Sequence, residues 1–288
     1  PLLDKIKDFF ETTSYSYEVI FVYDCGPDNS WKVLQELKEK NPNLVKIIKL
    51  SRNFGQHNAL MCGFNFAQGD FIITMDEDLQ HNPFDIAKLI EKQLSGDYDL
   101  VYGTYEELKH SGFRNLTSRM MKKLISASIP ELSLDYSAFR LIKSGVAKSI
   151  TQMQNSYTFL DGYLSWVTSN IGSCVISHNE RCAGKSSYTV TKLIEHSINI
   201  FVTFSNYPIR LVTKFSILLF VLNCFFALYI LGRKLMYDDF AAGYASLILV
   251  LIFGFSLVLL SIGIVGEYIY RINLKTTKRP NYNIDIIR

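Results

Sequence analysis

Short apolar runs alternate with amphipathic runs along the first third of the chain. The apolar runs are rich in β-branched and aromatic residues, and the runs between them carry apolar residues at helical spacing. The predicted strands are 18–24, 44–51, 70–76 and 99–103, and the predicted helices are 31–41, 57–69 and 83–96. This alternation is typical of βαβ units, so we expect an α/β domain built on a mostly parallel sheet.

Two later segments differ in kind, because 215–231 and 241–266 contain no charged residue. As a helix, the second would span about 39 Å against a hydrocarbon core of about 30 Å, so it can cross a membrane with tilt. A pair of buried core helices is the alternative. The linker 233–240 is too short for a domain, so the two segments predict a transmembrane hairpin.

Basic residues flank this hairpin on both sides. The positive-inside bias therefore places the large N-terminal part and both termini in the cytoplasm, and predicts a multi-pass protein of the cell (inner) membrane. The aromatic residues Phe201, Phe204 and Tyr207 follow a helical pattern just before the hairpin, which fits core packing or an interfacial helix. The predicted divisions are an N-terminal α/β domain (1–187), a juxtamembrane amphipathic helix (188–210), two transmembrane helices (211–232 and 241–267) and a cytoplasmic tail (268–288).

The charge pattern argues against a nucleic-acid partner. The net charge is only +3, and the two signs are mixed rather than gathered in a basic stripe. The five cysteines form no C-x-x-C pair or zinc-like spacing, so we interpret them as reduced or simply buried. The chain opens PLLDKIKDFF, without a methionine or a targeting signal, so the numbering could begin inside a longer protein.

Acidic residues stand where the predicted strands end. Asp24 follows the first strand and Asp76 the third, and the carboxyl ends of parallel strands are where such sheets bind ligands. Asp76, Asp78 and Gln80 are spaced by two, so in an extended turn their oxygens point the same way. Such oxygens suit Mg²⁺ or Mn²⁺. The alternative is that the acids only cap the helix starting at Pro83.

Several motifs occur together in a fixed order and closely resemble one family. They are VYDCGPDNS (22–30), SRNFGQHNALMCGF (51–64), GDFIITMDEDLQHNP (69–83), FRLI (139–142) and RCAGKSSY (181–188), followed by the predicted hairpin. This set resembles the polyprenyl-phosphate glycosyltransferases of glycosyltransferase family 2, such as dolichyl-phosphate mannose synthases and bactoprenol glucosyltransferases. The resemblance covers almost the whole chain.

The resemblance implies a GT-A fold (a Rossmann-like α/β domain), a nucleotide-sugar donor, a divalent metal and a polyprenyl-phosphate acceptor. It implies that the metal and diphosphate lie at Asp76, Asp78 and Gln80. The other implied site residues are Asp24 and Asp28 at the base and ribose, Arg52, Asn53 and Gly55 beside the nucleotide, Arg140 near the phosphates, and Arg181, Ser186 and Tyr188 in a loop closing over the donor and meeting the lipid phosphate.

The sequence departs from the family's pattern in several places. Many relatives carry an acid directly before the F-R pair, where this chain has Ala138, and Asp135 could substitute as a base only if the strand bends. Ser187 stands where relatives often have lysine, and Lys185 could replace that contact. The family's first strand, with its P-x-Y-N-E-like motif, is missing before the predicted helix at 2–10, so the sheet should have an unpaired position there.

Three functions remain open at this point. The first is single inverting transfer of one sugar from a nucleotide sugar, with a bacterial-type pattern leaning towards UDP over GDP, to a polyprenyl (undecaprenyl or dolichyl) phosphate. The second is transfer to another lipid or to a glycan, and the third is a nucleotide-sugar-binding membrane protein with impaired catalysis. The sequence names neither the sugar nor the oligomeric state, for which a homo-oligomer is one option.

Overall fold

The structure is a computed structural model that describes residues 1–105, 129, 132, 135–153, 157–177, 199–201, 203–204, 243–276 and 280–288, and isolated positions at 214, 218, 221, 222, 225, 229, 232 and 236. The chain forms two compact units. The first comprises Pro1–Thr203 together with Arg279–Arg288, and the second comprises Phe204–Lys278.

The first unit alternates helices and strands, as the hydrophobic pattern predicts. Its helices are α1 (Leu2–Glu11), α2 (Ser30–Lys40), α3 (Gln56–Phe66), α4 (Ile86–Gly96), α5 (Ser144–Thr151) and α6 (Leu160–Val167), with a short 3₁₀ turn at Pro83–Asp85. Its strands are β1 (Val19–Tyr23), β2 (Val45–Leu50), β3 (Phe71–Thr74), β4 (Leu100–Tyr105), β5 (Arg140–Lys143), β6 (Ile171–Ile176) and β7 (Ile284–Ile287). The four predicted strands and three predicted helices are all confirmed to within a few residues at their ends.

The expected mostly parallel sheet is wrong for the described residues, which form two mixed sheets. The strand orders are β1-β2-β7 and β3-β5-β4-β6. Strands β1 and β2 are parallel, as are β4 and β6. Strand β5 runs antiparallel between β3 and β4, and β7 runs antiparallel on the edge of β2. Strand β5, directly before α5, and strand β7, within 280–288, are therefore the antiparallel strands of the two sheets.

The side chains of β2 alternate between two buried faces, which fixes the helices on either side. Val45 and Ile47 pack with Leu3 of α1 and against apolar residues of α2. Ile48 and Leu50 pack on the other face with Ala59 and Cys62 of α3. Neither β1 nor β3 has a strand partner on its second edge among the described residues. The sequence predicts an unpaired position in the sheet without saying at which strand, and that assignment stays a prediction.

The second unit contains α7 (Gly243–Thr276). Many of its large apolar side chains are exposed, including Leu247, Phe255, Leu260, Ile262 and Ile269, whereas Leu257 and Ile264 are half-buried. Across the described parts of the chain, no helix is both long and apolar enough to cross a membrane. The predicted hairpin therefore stays a prediction.

Candidate functional site

An acidic turn follows β3, where the sequence places the metal site. Asp76 and Asp78 lie just past the strand, and the turn closes when the backbone N–H of Gln80 donates to Asp78 Oδ1 at 3.1 Å. Leu79 has a φ of 63°, in the left-handed region that non-glycine residues rarely adopt. The carboxylates are thus held in a tight turn at the edge of the sheet rather than capping the Pro83 helix, where the side chain of Asn82 accepts from Phe84 N.

His81 lies beside this turn and accepts a hydrogen bond from its backbone. Its Nδ1 accepts the backbone N–H of Asp76 at 3.1 Å, and its ring is buried and stacks on Phe139 with 5.1 Å between ring centroids. The ring also stacks on Tyr105, the last residue of β4. His81 therefore supports the acidic turn through its backbone.

Three carboxylates act together on Tyr105. Burial, followed by the charges of Asp76, Asp78 and Asp85, raises the pKa of the Tyr105 hydroxyl to about 12. Strands β3 and β4 both run antiparallel to β5, so their carboxyl ends lie at one edge. The carboxylates of Asp76 and Asp78 therefore follow β3 at this edge, and carboxylate oxygens are ligands that hard cations prefer.

The first sheet reaches the same region through Asp24. Its two carboxylate oxygens accept the backbone N–H groups of Phe54 and Gly55, each at 2.7 Å. Gly55, with a φ of 90°, begins α3, and the next residue, Gln56, donates its Nε2 to Asp76 Oδ1 at 3.0 Å. The structure thus brings together Asp24, the loop ending at Gly55 and Asp76, all of which the sequence predicts for the site.

The other residues predicted to contact the nucleotide, Asp28, Arg52 and Asn53, are exposed. Hydrogen bonds from Ser30 lower the pKa of the exposed Asp28 carboxyl, which closes its own turn. Arg52 and Asn53 are exposed, and the Arg52 guanidinium lies 4.8 Å from the centre of the Phe54 ring. Exposure leaves these side chains accessible to a ligand, and their predicted nucleotide contacts stay predictions.

Arg140 lies in a buried polar network. Its Nη1 donates to Asp161, which also accepts the Tyr102 hydroxyl at 2.8 Å. Its Nε donates to Thr74 Oγ1 at 3.2 Å, and that hydroxyl donates to the Ala138 carbonyl at 2.6 Å. The guanidinium therefore ties the end of β3 to β4, β5 and α6. Its predicted contact with phosphate stays a prediction.

Asp161 is a functional candidate that the sequence reasoning missed. Its carboxyl is almost fully buried, and burial raises its pKa while the Arg140 charge opposes that rise. Removing one partner of such a pair typically costs about 3–5 kcal/mol, since the other charge is left buried and unpaired. The available signal was an aspartate in the otherwise apolar stretch TFLDGYL.

Asp85 is a second residue that the sequence reasoning missed. Its buried carboxyl accepts the backbone N–H of Ser177 at 3.0 Å and also the Ser177 hydroxyl, and it pairs with Lys88 at 2.7 Å. Burial alone would raise its pKa, but the bonds from Lys88 and Ser177 hold the pKa below its usual value. Asp85 thereby fixes the chain at the end of β6, directly before residues 178–198.

The structure describes the predicted base, Asp135, but the residues of the predicted closing loop lie outside the described residues. Arg181, Ser186 and Tyr188 lie outside the described residues, as do Lys185 and Ser187. Asp135 is exposed and its Oδ2 accepts from the Ser173 hydroxyl of β6 at 3.4 Å. This contact directs the Asp135 side chain to β6, and a role as a base stays a prediction.

The side chains of the acidic turn offer oxygen atoms, which are the ligands that hard divalent cations prefer. No group of three or more His, Cys, Asp or Glu side chains forms a metal centre among the described residues. Magnesium commonly needs only one or two protein carboxylates, with substrate phosphates and water completing its shell. Asp76 and Asp78, with the side-chain amide of Gln80 two residues on, supply oxygen atoms of that kind.

Fold and site together describe an α/β domain with carboxylates at the carboxyl ends of its strands, which is where such sheets bind ligands. The sequence profile of glycosyl transferase family 2 matches residues 1–149. The chain belongs to this family and is a glycosyltransferase with a GT-A-like α/β fold of mixed sheets, which confirms the predicted family.

Relatives match almost the whole chain. An uncharacterized glycosyltransferase, YkcC, of Bacillus subtilis (strain 168) is 32% identical over 96% of this chain and 86% of that protein. The undecaprenyl-phosphate 4-deoxy-4-formamido-L-arabinose transferase of Edwardsiella ictaluri (strain 93-146) is 32% identical over 93% of this chain and 83% of that protein. A prophage bactoprenol glucosyl transferase homolog of Escherichia coli (strain K12) is 29% identical over 98% and 92%.

Proposed function

We propose that the protein transfers one sugar from a nucleoside-diphosphate sugar, a UDP sugar in the first instance, to a polyprenyl phosphate. The observation that carries this proposal is the acidic turn of Asp76 and Asp78, joined through Gln56 to the loop that Asp24 holds. The relatives named for undecaprenyl-phosphate and bactoprenol transfer support the choice of acceptor.

The donor is held by its diphosphate. Asp76, Asp78 and Gln80 would hold Mg²⁺ or Mn²⁺, and the bound ion would neutralise charge on the leaving diphosphate. Asp24 keeps the loop 52–55 in place, so that Arg52 and Asn53 reach the nucleotide from the protein surface. Arginine suits this task because its planar fork donates two hydrogen bonds to phosphate oxygens.

The reaction is a single displacement with inversion. An oxygen of the lipid phosphate attacks the anomeric carbon of the sugar, and the bond from that carbon to the diphosphate oxygen breaks, with its electron pair leaving on the nucleoside diphosphate. A phosphate monoester has a second pKa of about 6, so it is already an anion near neutral pH and a strong base is unnecessary. The rate then depends on how well Arg181 and the rest of the closing loop orient the two substrates and neutralise the developing charge.

The acceptor implies a membrane setting. The uncharged segments 215–231 and 241–266 and the exposed apolar side chains of α7 support insertion into, or close contact with, a bilayer. The basic flanks support a cytoplasmic catalytic unit with both termini on the same side.

Transfer assays with three classes of acceptor test the proposal. The purified protein is incubated with Mn²⁺ and radiolabelled UDP-glucose, UDP-N-acetylglucosamine and GDP-mannose in turn, each with a short polyprenyl phosphate, a diacylglycerol or a glucan oligosaccharide. We expect label only in the polyprenyl-phosphate product, with one of the donors. Label in the diacylglycerol or glycan would establish a different acceptor, and donor binding without any transfer would indicate a protein that only binds nucleotide sugars.

A further inference from the structure

The C-terminal segment 280–288 is built into the catalytic unit, although its sequence shows no helix- or strand-length pattern. Strand β7 pairs antiparallel with the outer edge of β2, matching Ile48 with Ile287 and Lys49 with Ile286. Ile47 and Arg288 exchange two backbone hydrogen bonds, at 2.9 and 3.0 Å. The segment therefore covers an edge strand that would otherwise expose its backbone donors and acceptors.

The ladder continues to the start of the loop 51–55. After an irregularity between Lys49 and Leu50, Leu50 pairs with Ile284, and the backbone N–H of Ser51 donates to the Asn283 carbonyl at 2.9 Å. The Asn283 side chain also donates to Ser51 Oγ at 3.4 Å. Ser51 immediately precedes Arg52, so the last bonds of the ladder hold the residue at which the loop leaves β2.

The same segment shares an apolar cluster with Phe54 of the loop. Tyr282 and Ile284 pack against the buried cluster of Ile48, Leu50, Ala59 and Cys62, and Phe54 packs against the same cluster. The Asn65 amide of α3 donates to the Tyr282 hydroxyl. Segment 280–288 thus bonds directly to Ser51, the first residue of the loop 51–55, and shares an apolar cluster with Phe54, while Asp24 accepts the backbone N–H groups of Phe54 and Gly55.

We propose that segment 280–288 is a positioning element of the donor site, which keeps the loop 51–55 in the conformation that receives the nucleotide. This inference rests on the proposed function for its ligand, since the loop is the proposed nucleotide contact. It predicts that the segment acts locally on the loop and α3, and that it can act without being covalently joined to the rest of the chain.

The experiment compares the full chain with a variant ending at Arg279. Hydrogen–deuterium exchange is followed at the backbone amides of 51–55, and affinity is measured for UDP and GDP with Mn²⁺. We expect the loop amides to exchange about tenfold faster or more in the shortened chain, because the hydrogen bonds that fix Ser51 are lost. Nucleotide affinity should fall by a similar factor, and the peptide PNYNIDIIR added in trans should restore both.

Two further variants keep the test decisive if the shortened chain folds poorly. Ile286→Pro in the full chain removes a ladder donor and should reproduce the faster exchange of the loop. Asp285→Asn is the control, since it removes only the surface ion pair with Lys49 at 3.0 Å, and it should change affinity less than about fivefold.

Unchanged exchange at 51–55 in Ile286→Pro would overturn the inference. Faster exchange throughout the unit, with no excess at the loop, would also overturn it, because the segment would then be a general stabiliser. Loop exchange that depends on the segment, in a protein that binds neither nucleotide, would support the positioning role and count against the proposed function instead.

Discussion

At the scale of single residues, the proposed site separates groups assigned to the ligand from groups that hold them in place. Asp76 and Asp78 are the proposed cation ligands, while His81, Gln56 and Asp24 fix the backbone or side chains beside them. Asp161 and Asp85 lie deeper and hold the ends of β3 and β6. Substitutions of the first group should change chemistry, and substitutions of the last should change stability as well.

The need for a catalytic base is a question at this scale. Asp135 is exposed and accepts from Ser173, and Ala138 stands directly before the Phe139-Arg140 pair, where the family resemblance implies an acid. Because the acceptor is already ionised, we expect Asp135→Ala and Ala138→Asp to change the single-turnover rate little. Arg181→Ala should slow transfer by about 10²-fold or more, as expected for a lost contact to a developing anion. If Asp135→Ala is as slow as Arg181→Ala with unchanged donor binding, Asp135 is a base.

Asp85 gives a pH-dependent contribution to stability. Its pKa is lowered in the folded protein, whereas an unfolded aspartate has a pKa of about 3.9. The stabilisation is therefore present above about pH 3.9 and is lost as the pH falls through the folded value. Asp85→Asn should lower the free energy of unfolding by about 1–3 kcal/mol at pH 7.

Urea unfolding of both proteins between pH 7 and pH 3 checks this prediction. The difference between wild type and Asp85→Asn should shrink steadily below about pH 4, since the native carboxyl becomes protonated there. A difference that is constant across the whole range would show that the charge of Asp85 contributes nothing.

At the scale of secondary-structure elements, the sequence predicted what local patterns encode. The strands β1 to β4 and the helices between them carry their own periodicity, and an acid at a strand end predicts its place at the sheet edge. Strands β5, β6 and β7 and helices α5 and α6 were not predicted. Short segments such as RLIK and IDII are recognisable as strands only from the strands they pair with. Buried partners such as Asp161 with Arg140 are likewise set by tertiary contacts between distant segments.

The packing of β4 beneath the acidic turn can be tested with two glycines. A Cβ added at Gly103 would lie 2.8 Å from Phe139 Cδ1 and 3.1 Å from the Ile176 side chain, and both neighbours are buried. Gly103→Ala should therefore cost about 1–3 kcal/mol. It should also reduce activity, because Phe139 stacks on His81 beneath the turn.

Gly145→Ala is the matched control for this substitution. Gly145 lies in α5, and nothing lies within 4 Å of an added Cβ. Alanine should stabilise that helix by about 0.5–1 kcal/mol. Thermal unfolding and transfer rates of both variants provide the comparison, and equal stability of the two would contradict the packing described for β4.

At the scale of the whole molecule, two compact units divide the work that the proposed reaction requires. The unit Pro1–Thr203 with Arg279–Arg288 carries the donor site, and the unit Phe204–Lys278 carries α7 and most of the uncharged sequence. The hairpin was inferred from the two uncharged apolar segments and their short linker, and its orientation from the basic flanks, so both need a test of their own.

Cysteine labelling in intact cells tests the proposed topology. A membrane-impermeant maleimide should label a cysteine introduced at Asp238, in the linker between the uncharged segments, and should miss one at Lys278, because the basic flanks face the cytoplasm. The unsubstituted protein gives the background from its native cysteines. The reverse pattern would show that the orientation is wrong, and equal labelling at both positions would contradict the hairpin itself.

The most direct test of the central claim is metal-dependent transfer by the acidic turn. Single-turnover transfer of labelled sugar to polyprenyl phosphate is measured for wild type with Mn²⁺, for wild type in EDTA, and for Asp78→Ala, with circular dichroism as the control for folding. We expect no transfer in EDTA and a rate at least about 10²-fold lower for a folded Asp78→Ala, since stabilisation of the leaving diphosphate is lost. Full transfer in EDTA or by Asp78→Ala would contradict the assignment of this turn as the catalytic centre.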